Sequence, residues 1–281
     1  MPKRQYTRTL FAAAPGRDFA FGTRKLRAMD RLDASAMSLP GVEVRVVARC
    51  GSTNSILLQR EISGVSLLAA EAQSAGRGRR GRRWHSAPGD SITFSLARPV
   101  SRPARELAAL SLVAGVAVVG ALRALGASKI SLKWPNDLVA GAAKIGGILV
   151  ETRGQGRATL AVIGVGINCR ASAEVARRVR RPVASLDQFI EAGDRNRLIS
   201  VIAAALVEAL AAFERDGFDA LRHEWEAMDA HAGRRLRVRL ADGRTISGVA
   251  AGLAEDGGLR LRTRAGLRAV RSGRVVSSRA A

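Results

Sequence analysis

The chain has 281 residues, enough for one large domain plus something small, and sets 46 lysines and arginines against 24 carboxylates, a formal charge of +22. Its 47% apolar content excludes a chain too polar to fold, and two cysteines exclude a disulfide-built scaffold and favour a reducing compartment. Only Lys3, Lys25, Lys129, Lys133 and Lys144 are lysines, so the charge is nearly all arginine, which a GC-rich genome explains as readily as a polyanionic partner.

The first residues are basic and almost free of acid, but TLFAAAPG makes a poor secretory core, so cytoplasm is the expected location. The first folded strand is expected from Val42, where VEVRVVARC alternates and runs into Gly51-Ser52-Thr53-Asn54. Ser, Thr and Asn are helix-capping types, and the following NSILLQREI suits a helix.

A second strand, VSLLAAEAQ, hands the chain to a loop in which Gly76, Gly78 and Gly81 alternate with Arg77, Arg79, Arg80, Arg82 and Arg83. Glycines free the backbone to turn its amides toward a ligand, and arginine forks match phosphate or carboxylate oxygens, so this loop is built to hold an anion. Trp84 and a turn at Ala87-Pro88-Gly89-Asp90 follow. Then SITFSLARP alternates Ile92, Phe94 and Leu96 with Ser and Thr, the pattern of a half-buried strand.

Leu107 to Leu122 is apolar but shorter than the ~20 residues of a membrane span, and reads as a buried helix closed by Arg123 and Gly126. KISLKWPNDLVAGAAKIGGILVET reads as strand, loop, strand: Ile130 and Leu132 lead in, Pro135 stops the ladder, and Ile145 to Val150 resume it. The loop carries Lys133, Asn136 and Asp137; Gly146 and Gly147 behind Lys144 leave room for close approach of a ligand. ATLAVIGVGIN is a buried strand ending in Asn168. Two helices follow from Asp194, where His223 and Trp225 suit surface and packing roles. After Gly233 the texture becomes short alternating strands with hairpin turns at Asp242-Gly243 and Glu255 to Gly258, a small barrel.

Four blocks, CGSTN, EAQSAGRGRRGRRW, KWPNDLVAGAAKIGGILVE and GVGIN, occur in the order of the biotin protein ligase family, which the chain resembles from about Val44 to its end. The resemblance implies an α/β catalytic domain over 42–232, with a mainly antiparallel mixed sheet like the class II aminoacyl-tRNA synthetase core, and an SH3-like barrel over 233–281. Residues 1–41 are left as a basic extension, too short for the DNA-reading head of repressor relatives, so no sequence-specific DNA binding is expected and its removal should leave activity largely intact.

The activity implied is ATP-dependent formation of biotinyl-5'-AMP and transfer of biotin to a lysine of a biotin carboxyl carrier protein of acetyl-CoA carboxylase or a related carboxylase. By the same resemblance Ser52, Thr53, Asn54, Gln73, Arg77, Gly78 and Arg79 belong to the biotin pocket, and Lys144 meets the biotin carboxyl end. Arg77, Arg79 and Lys133 serve charge on the phosphates, with Arg80 and Arg82 closing the loop. Asn136 and Asn168 face the nucleotide, and Asp137 is the magnesium ligand. Trp84 either stacks on adenine or pins the loop. A homodimer through a sheet edge occurs in relatives, but nothing in the residues fixes it, and no membrane partner is expected. Two other readings stand beside this one: a lipoate or octanoate transferase of the same fold, and a basic RNA-binding protein. The second leaves Lys133, Asp137, Lys144 and Asn168 unexplained.

Overall fold

The structure is a computed structural model and describes residues 31–281 apart from 87, 172, 180, 181 and 192. Strands β1 (Val42–Cys50), β2 (Val65–Gln73), β3 (Ser91–Val100), β4 (Ile130–Lys133), β5 (Asp137–Ala140), β6 (Ala143–Gln155) and β7 (Ala158–Asn168) form one sheet in the order β1-β2-β3-β7-β6-β5-β4. Only β1 and β2 run parallel; the other neighbours are antiparallel, giving the mixed sheet of the class II synthetase-like fold.

Helices α2 (Leu110–Ala124) and α4 (Arg195–Asp216) pack against each other on one face of this sheet, while the short α1 (Thr53–Leu58) lies on the other. Both α2, with the turn before it, and α4 are apolar and long enough to cross a bilayer; here most of that apolar surface is core. Asp194 caps α4 by accepting from the Asn196 and Arg197 N–H groups, and Gly217 ends it at φ +75°. A six-residue α3 (Ala173–Arg178) precedes it, and α5 (Asp219–Ala227) follows, burying Trp225 and leaving His223 on the surface.

Two expectations change here. The loop expected after Pro135 contains β5, whose four residues pair Asp137 with Lys133 on one side and Gly147 on the other. And β3 is not half-buried: Ile92, Phe94 and Leu96 enter the helical core, but Thr93 and Ser95 on the opposite face are covered too. That polar face is the floor of the site.

The expected extension also divides. Residues 1–30 lie outside the described residues, whereas 31–41 are docked, with Leu32 and Met37 buried. Asn196 grips this segment, accepting from Asp33 N (2.9 Å) and donating to Arg31 O (3.1 Å). Glu71 on β2 accepts from Leu32 N (2.6 Å) and from both terminal nitrogens of buried Arg195 (2.8 and 3.0 Å). Burial alone would raise the Glu71 carboxyl; the Arg195 guanidinium, the Leu32 N–H and the charge on Arg31 outweigh it and hold it below its ordinary value. The boundary drawn at Val42 therefore cuts through packed structure.

The second sheet, β8 (Arg235–Arg239), β9 (Thr245–Leu253), β10 (Leu259–Thr263), β11 (Gly266–Val270) and β12 (Arg274–Arg279), has the order β11-β10-β9-β8-β12. Leu236, Val238, Leu253, Leu259, Leu261 and Val275 point inward and join the core of the first sheet. Two contacts fasten the units: Trp134 Nε1 donates to Gly257 O (3.1 Å), and Leu253 N donates to Glu226 Oε1 (2.7 Å). A side chain at Gly257, already at φ +78°, would come within 2.7 Å of Leu112, so the β9–β10 turn lies hard against α2. The outer face is arginine-rich, and the register sets exposed Arg235 opposite Arg279 and Arg239 opposite Arg274.

Candidate active site

A cavity of about 530 Å³ opens where the basic loop, the α1 end of the sheet, the β4–β5 hairpin and the β11–β12 turn converge. Its lining includes Ser52, Thr53, Asn54, Gln73, Arg77, Gly78, Arg79, Arg80, Arg82, Trp84, Lys133, Asn136, Asp137 and Lys144. Every residue singled out from the sequence is there except Asn168. Its amide donates instead to Ala184 O (3.1 Å), tying the end of β7 to the segment before α4.

One half of the cavity is a rigid polar floor. Ser52 caps α1, accepting from Ser55 N (3.4 Å), and Thr53 N donates to Gln73 Oε1 (2.7 Å). Asn54 donates to Leu149 O (3.2 Å) and Glu151 Oε2 (3.0 Å) and accepts from Ser95 Oγ (2.6 Å). Ser52, Thr53 and Asn54 are buried, and Ser95 has no exposure. Gly164 on β7 lies so close to the Asn54 amide that a Cβ would overlap it, and one on Gly166 would fall 2.5 Å from the Trp84 indole. Glycine is required at both positions by close approach.

The other half is cationic. The loop between β2 and β3 folds back on itself: Gly78 N donates to Arg82 O (2.7 Å), Trp84 N to Gly76 O (2.9 Å), and Arg77 bridges Arg83. Arg80 at its tip has φ +58°, the only non-glycine there among the described residues, which costs roughly 1 kcal/mol and marks a stored constraint. Its guanidinium donates to Ser272 Oγ (3.3 Å) on the β11–β12 turn, linking the loop to the second sheet. Burial, then the neighbouring charge of Arg80, pulls the Arg79 guanidinium below its ordinary value despite Asp137 nearby. An anion in the cavity would relieve that penalty.

Lys144 donates to Asp137, a pair shielded from solvent. Asn136 Nδ2 donates to Ile148 O (2.6 Å), tying the β4–β5 turn to β6, so this amide is committed to backbone. Behind Lys133 lie Asp229, which burial raises to about 6, and His231, which burial and the charge on Lys133 lower to about 4. Sequence reasoning passed over Ser95 and Glu151. The signal for Ser95 was the Ser-Thr face of β3; Glu151 closes the third motif block, the one carboxylate of β6, at the end of an apolar run.

A buried polar floor faces a basic, glycine-hinged rim, an arrangement able to hydrogen-bond a neutral polar group at one end and to gather anions at the other. The sequence profile of the Biotin/lipoate A/B protein ligase family matches residues 46–168, and that of the Biotin protein ligase C terminal domain matches residues 231–277. The chain is 37% identical over 231 residues to the Bifunctional ligase/repressor BirA of Escherichia coli, covering 79% of this chain and 70% of the relative. It is 37% identical over 226 residues to a biotin--[acetyl-CoA-carboxylase] ligase of Mycobacterium tuberculosis, covering 77% and 82%. Among solved structures, the biotin protein ligase from Aquifex aeolicus in complex with biotin and ATP superposes with a TM-score of 0.71 at 28% identity, over 85% of this chain and 99% of that one. The chain belongs to the biotin protein ligase family.

Proposed function

We propose that the chain activates biotin with ATP to biotinyl-5'-AMP, releasing pyrophosphate, and transfers the biotinyl group to a lysine of a biotin carboxyl carrier domain. The observation that supports this is the division of one cavity into a neutral hydrogen-bonding floor and a rim carrying Arg77, Arg79, Lys133 and Lys144. Biotin is a cyclic urea on a chain ending in a carboxylate; the floor suits the urea, and the rim suits the carboxylate beside the α-phosphate.

In the first step the biotin carboxylate oxygen attacks the α-phosphorus and the bond to pyrophosphate breaks. Two anions must be brought together, and Lys144 and Arg79 lower their repulsion while Lys133 and Arg77 meet the remaining charge. In the second step the acceptor amine attacks the acyl carbon and AMP leaves. Neither step needs an enzyme nucleophile, and Cys169, its thiol pushed by burial up to about 12, offers none. Arg80 and Arg82 fold over the adenylate. Trp84, set against Gly166, gives the loop a fixed root and a flat face toward the nucleotide.

Among the described residues no group of three or more His, Cys, Asp and Glu side chains could hold a metal alone. Magnesium fits as an ion carried on the phosphates, since it keeps waters and takes one or two carboxylates. Asp137 is that carboxylate once Lys144 turns to substrate, and the bound ion would neutralise phosphate charge. We place catalysis in 42–232, with 233–281 closing the cavity, and the protein in the cytoplasm.

Biotin-dependent exchange of labelled pyrophosphate into ATP tests the reading. Exchange that needs biotin, and loss of labelling when the acceptor lysine becomes arginine, are expected. Exchange driven by lipoate or octanoate but not by biotin would replace biotin with the transferase substrate.

A further inference from the structure

Glu151 does not line the cavity, yet it ends a chain of hydrogen bonds that runs under the floor. Its Oε2 and the carbonyl of Leu149 only accept, and both take protons from Asn54 Nδ2 (3.0 and 3.2 Å). The Asn54 amide is thereby locked one way round, with Oδ1 toward Ser95. The Ser95 hydroxyl gives its single proton to that oxygen across 2.6 Å.

Ser95 Oγ and Thr53 Oγ1 are also 2.6 Å apart, a separation that requires a proton between them. With the Ser95 proton on Asn54, Thr53 must supply it. The weaker alternative, Thr53 Oγ1 to Gln73 Oε1 at 3.2 Å, would leave two oxygens facing each other at 2.6 Å without a proton. Thr53 can therefore show the cavity only lone pairs. Gln73 Oε1, taken by Thr53 N at 2.7 Å, leaves Nε2 as its free donor.

We infer that Glu151 is a positioning residue which, through Asn54 and Ser95, fixes Thr53 as an acceptor and so sets the donor and acceptor polarity of the floor. The inference rests on the reading of this cavity as the biotin site. Its consequence is specificity: a ring N–H of the urea meets a lone pair at Thr53, whereas a ring oxygen in the same place would meet repulsion. The same carboxylate pairs with Arg77 (2.8 Å), so the polarity of the floor and the resting position of one rim arginine share an anchor.

The test compares biotin with its two cyclic carbamate analogues, in each of which one urea N–H is replaced by oxygen, measured by calorimetry on the full chain. Wild type should prefer biotin strongly over at least one analogue. Ser95→Ala, which frees the Thr53 hydroxyl to turn and donate, and Glu151→Lys, which sets a donor where Asn54 Nδ2 needs an acceptor, should each narrow that ratio tenfold or more. Part of the change should come from tighter binding of the analogue, an outcome that loosened packing would not produce. Thermal midpoints recorded alongside separate unfolding from altered preference, and two unlike variants guard against one failing to fold. If both variants weaken biotin and analogues alike, leaving the ratio within threefold of wild type, the inference falls while the site assignment stands. A wild type that binds no biotin overturns the reading of the cavity and the inference with it.

Discussion

The floor and the rim of the cavity meet a ligand in opposite states. On the floor Thr53, Asn54, Gln73, Ser95 and Glu151 hold one another by hydrogen bonds; the geometry is set by buried contacts before anything binds. On the rim, arginines crowd within one loop of few backbone bonds, and burial with the charge of Arg80 holds the Arg79 guanidinium below its ordinary value, a penalty an anion would relieve. On the proposed reading, selectivity belongs to the preformed part and retention to the part the ligand completes.

Four experiments would break or sharpen this contrast. The largest effect is expected for Lys144→Ala, which removes a charge proposed to meet the reacting carboxylate while the Lys144 backbone keeps its bridge to Val183. Adenylate formation should fall about 10²–10³-fold or more in single-turnover assays, with the protein still folded. A variant forming biotinyl-AMP at the wild-type rate would remove Lys144 from the chemistry.

Next is Gly164→Ala, whose methyl overlaps the Asn54 amide and attacks the floor alone. Biotin should bind tenfold to a hundredfold more weakly, the loss of one or two hydrogen bonds at about 1–3 kcal/mol, while the KM for ATP stays put. Equal loss for both substrates would mean that floor and rim are not separable.

Arg79→Gly acts on the rim alone. Adenylate should still form, several-fold less well, but escape and label lysines on unrelated proteins. Adenylate retention and promiscuous labelling measured together decide this, and hydrogen exchange over residues 75–83 should slow when biotinyl-AMP is added. Protection that is equal with and without ligand would count against a ligand-completed rim.

The smallest effect concerns the ionisable pair behind Lys133. Asp229, raised by burial to about 6, gains a proton on folding, so its contribution to stability is present at low pH and is lost as pH rises through about 6. His231, lowered to about 4, sheds a proton on folding, so its contribution grows from pH 4 toward 6.5. The two oppose each other. Asp229→Asn should leave the histidine trend uncovered, with a melting temperature that climbs more steeply than wild type between pH 4 and 6.5; parallel curves would refute it.

What could be read from the residues follows the same division. The strands β2, β3 and β7 were legible because their apolar runs are bounded by turns, and the rim because glycine and arginine alternate at a density few structures need. Ser95 and Glu151 were not, since their roles depend on partners 41 and 97 residues away at Asn54. Strand β5 escaped because four residues between Pro135 and Gly141 look like loop until β6 is there to pair with them. The docking of 31–41 escaped because Leu32 and Met37 are isolated apolar residues in a polar stretch, and the segment is held by partners such as Glu71 and Asn196 far along the chain. A chain begun at Val42 would lose both side chains, roughly 2 kcal/mol each.

The arginines on the outer face of the second sheet bear on how the protein behaves in a tube. Arg235 faces Arg279 and Arg239 faces Arg274 across adjacent strands, and like charges placed directly opposite weaken a sheet. Salt screens such repulsion within about 8 Å at 0.15 M ionic strength, so dilute buffer strains this unit and moderate salt relaxes it. Because its β11–β12 turn also lines the cavity, desalting the protein should loosen the wall that Arg80 leans on before it disturbs the core.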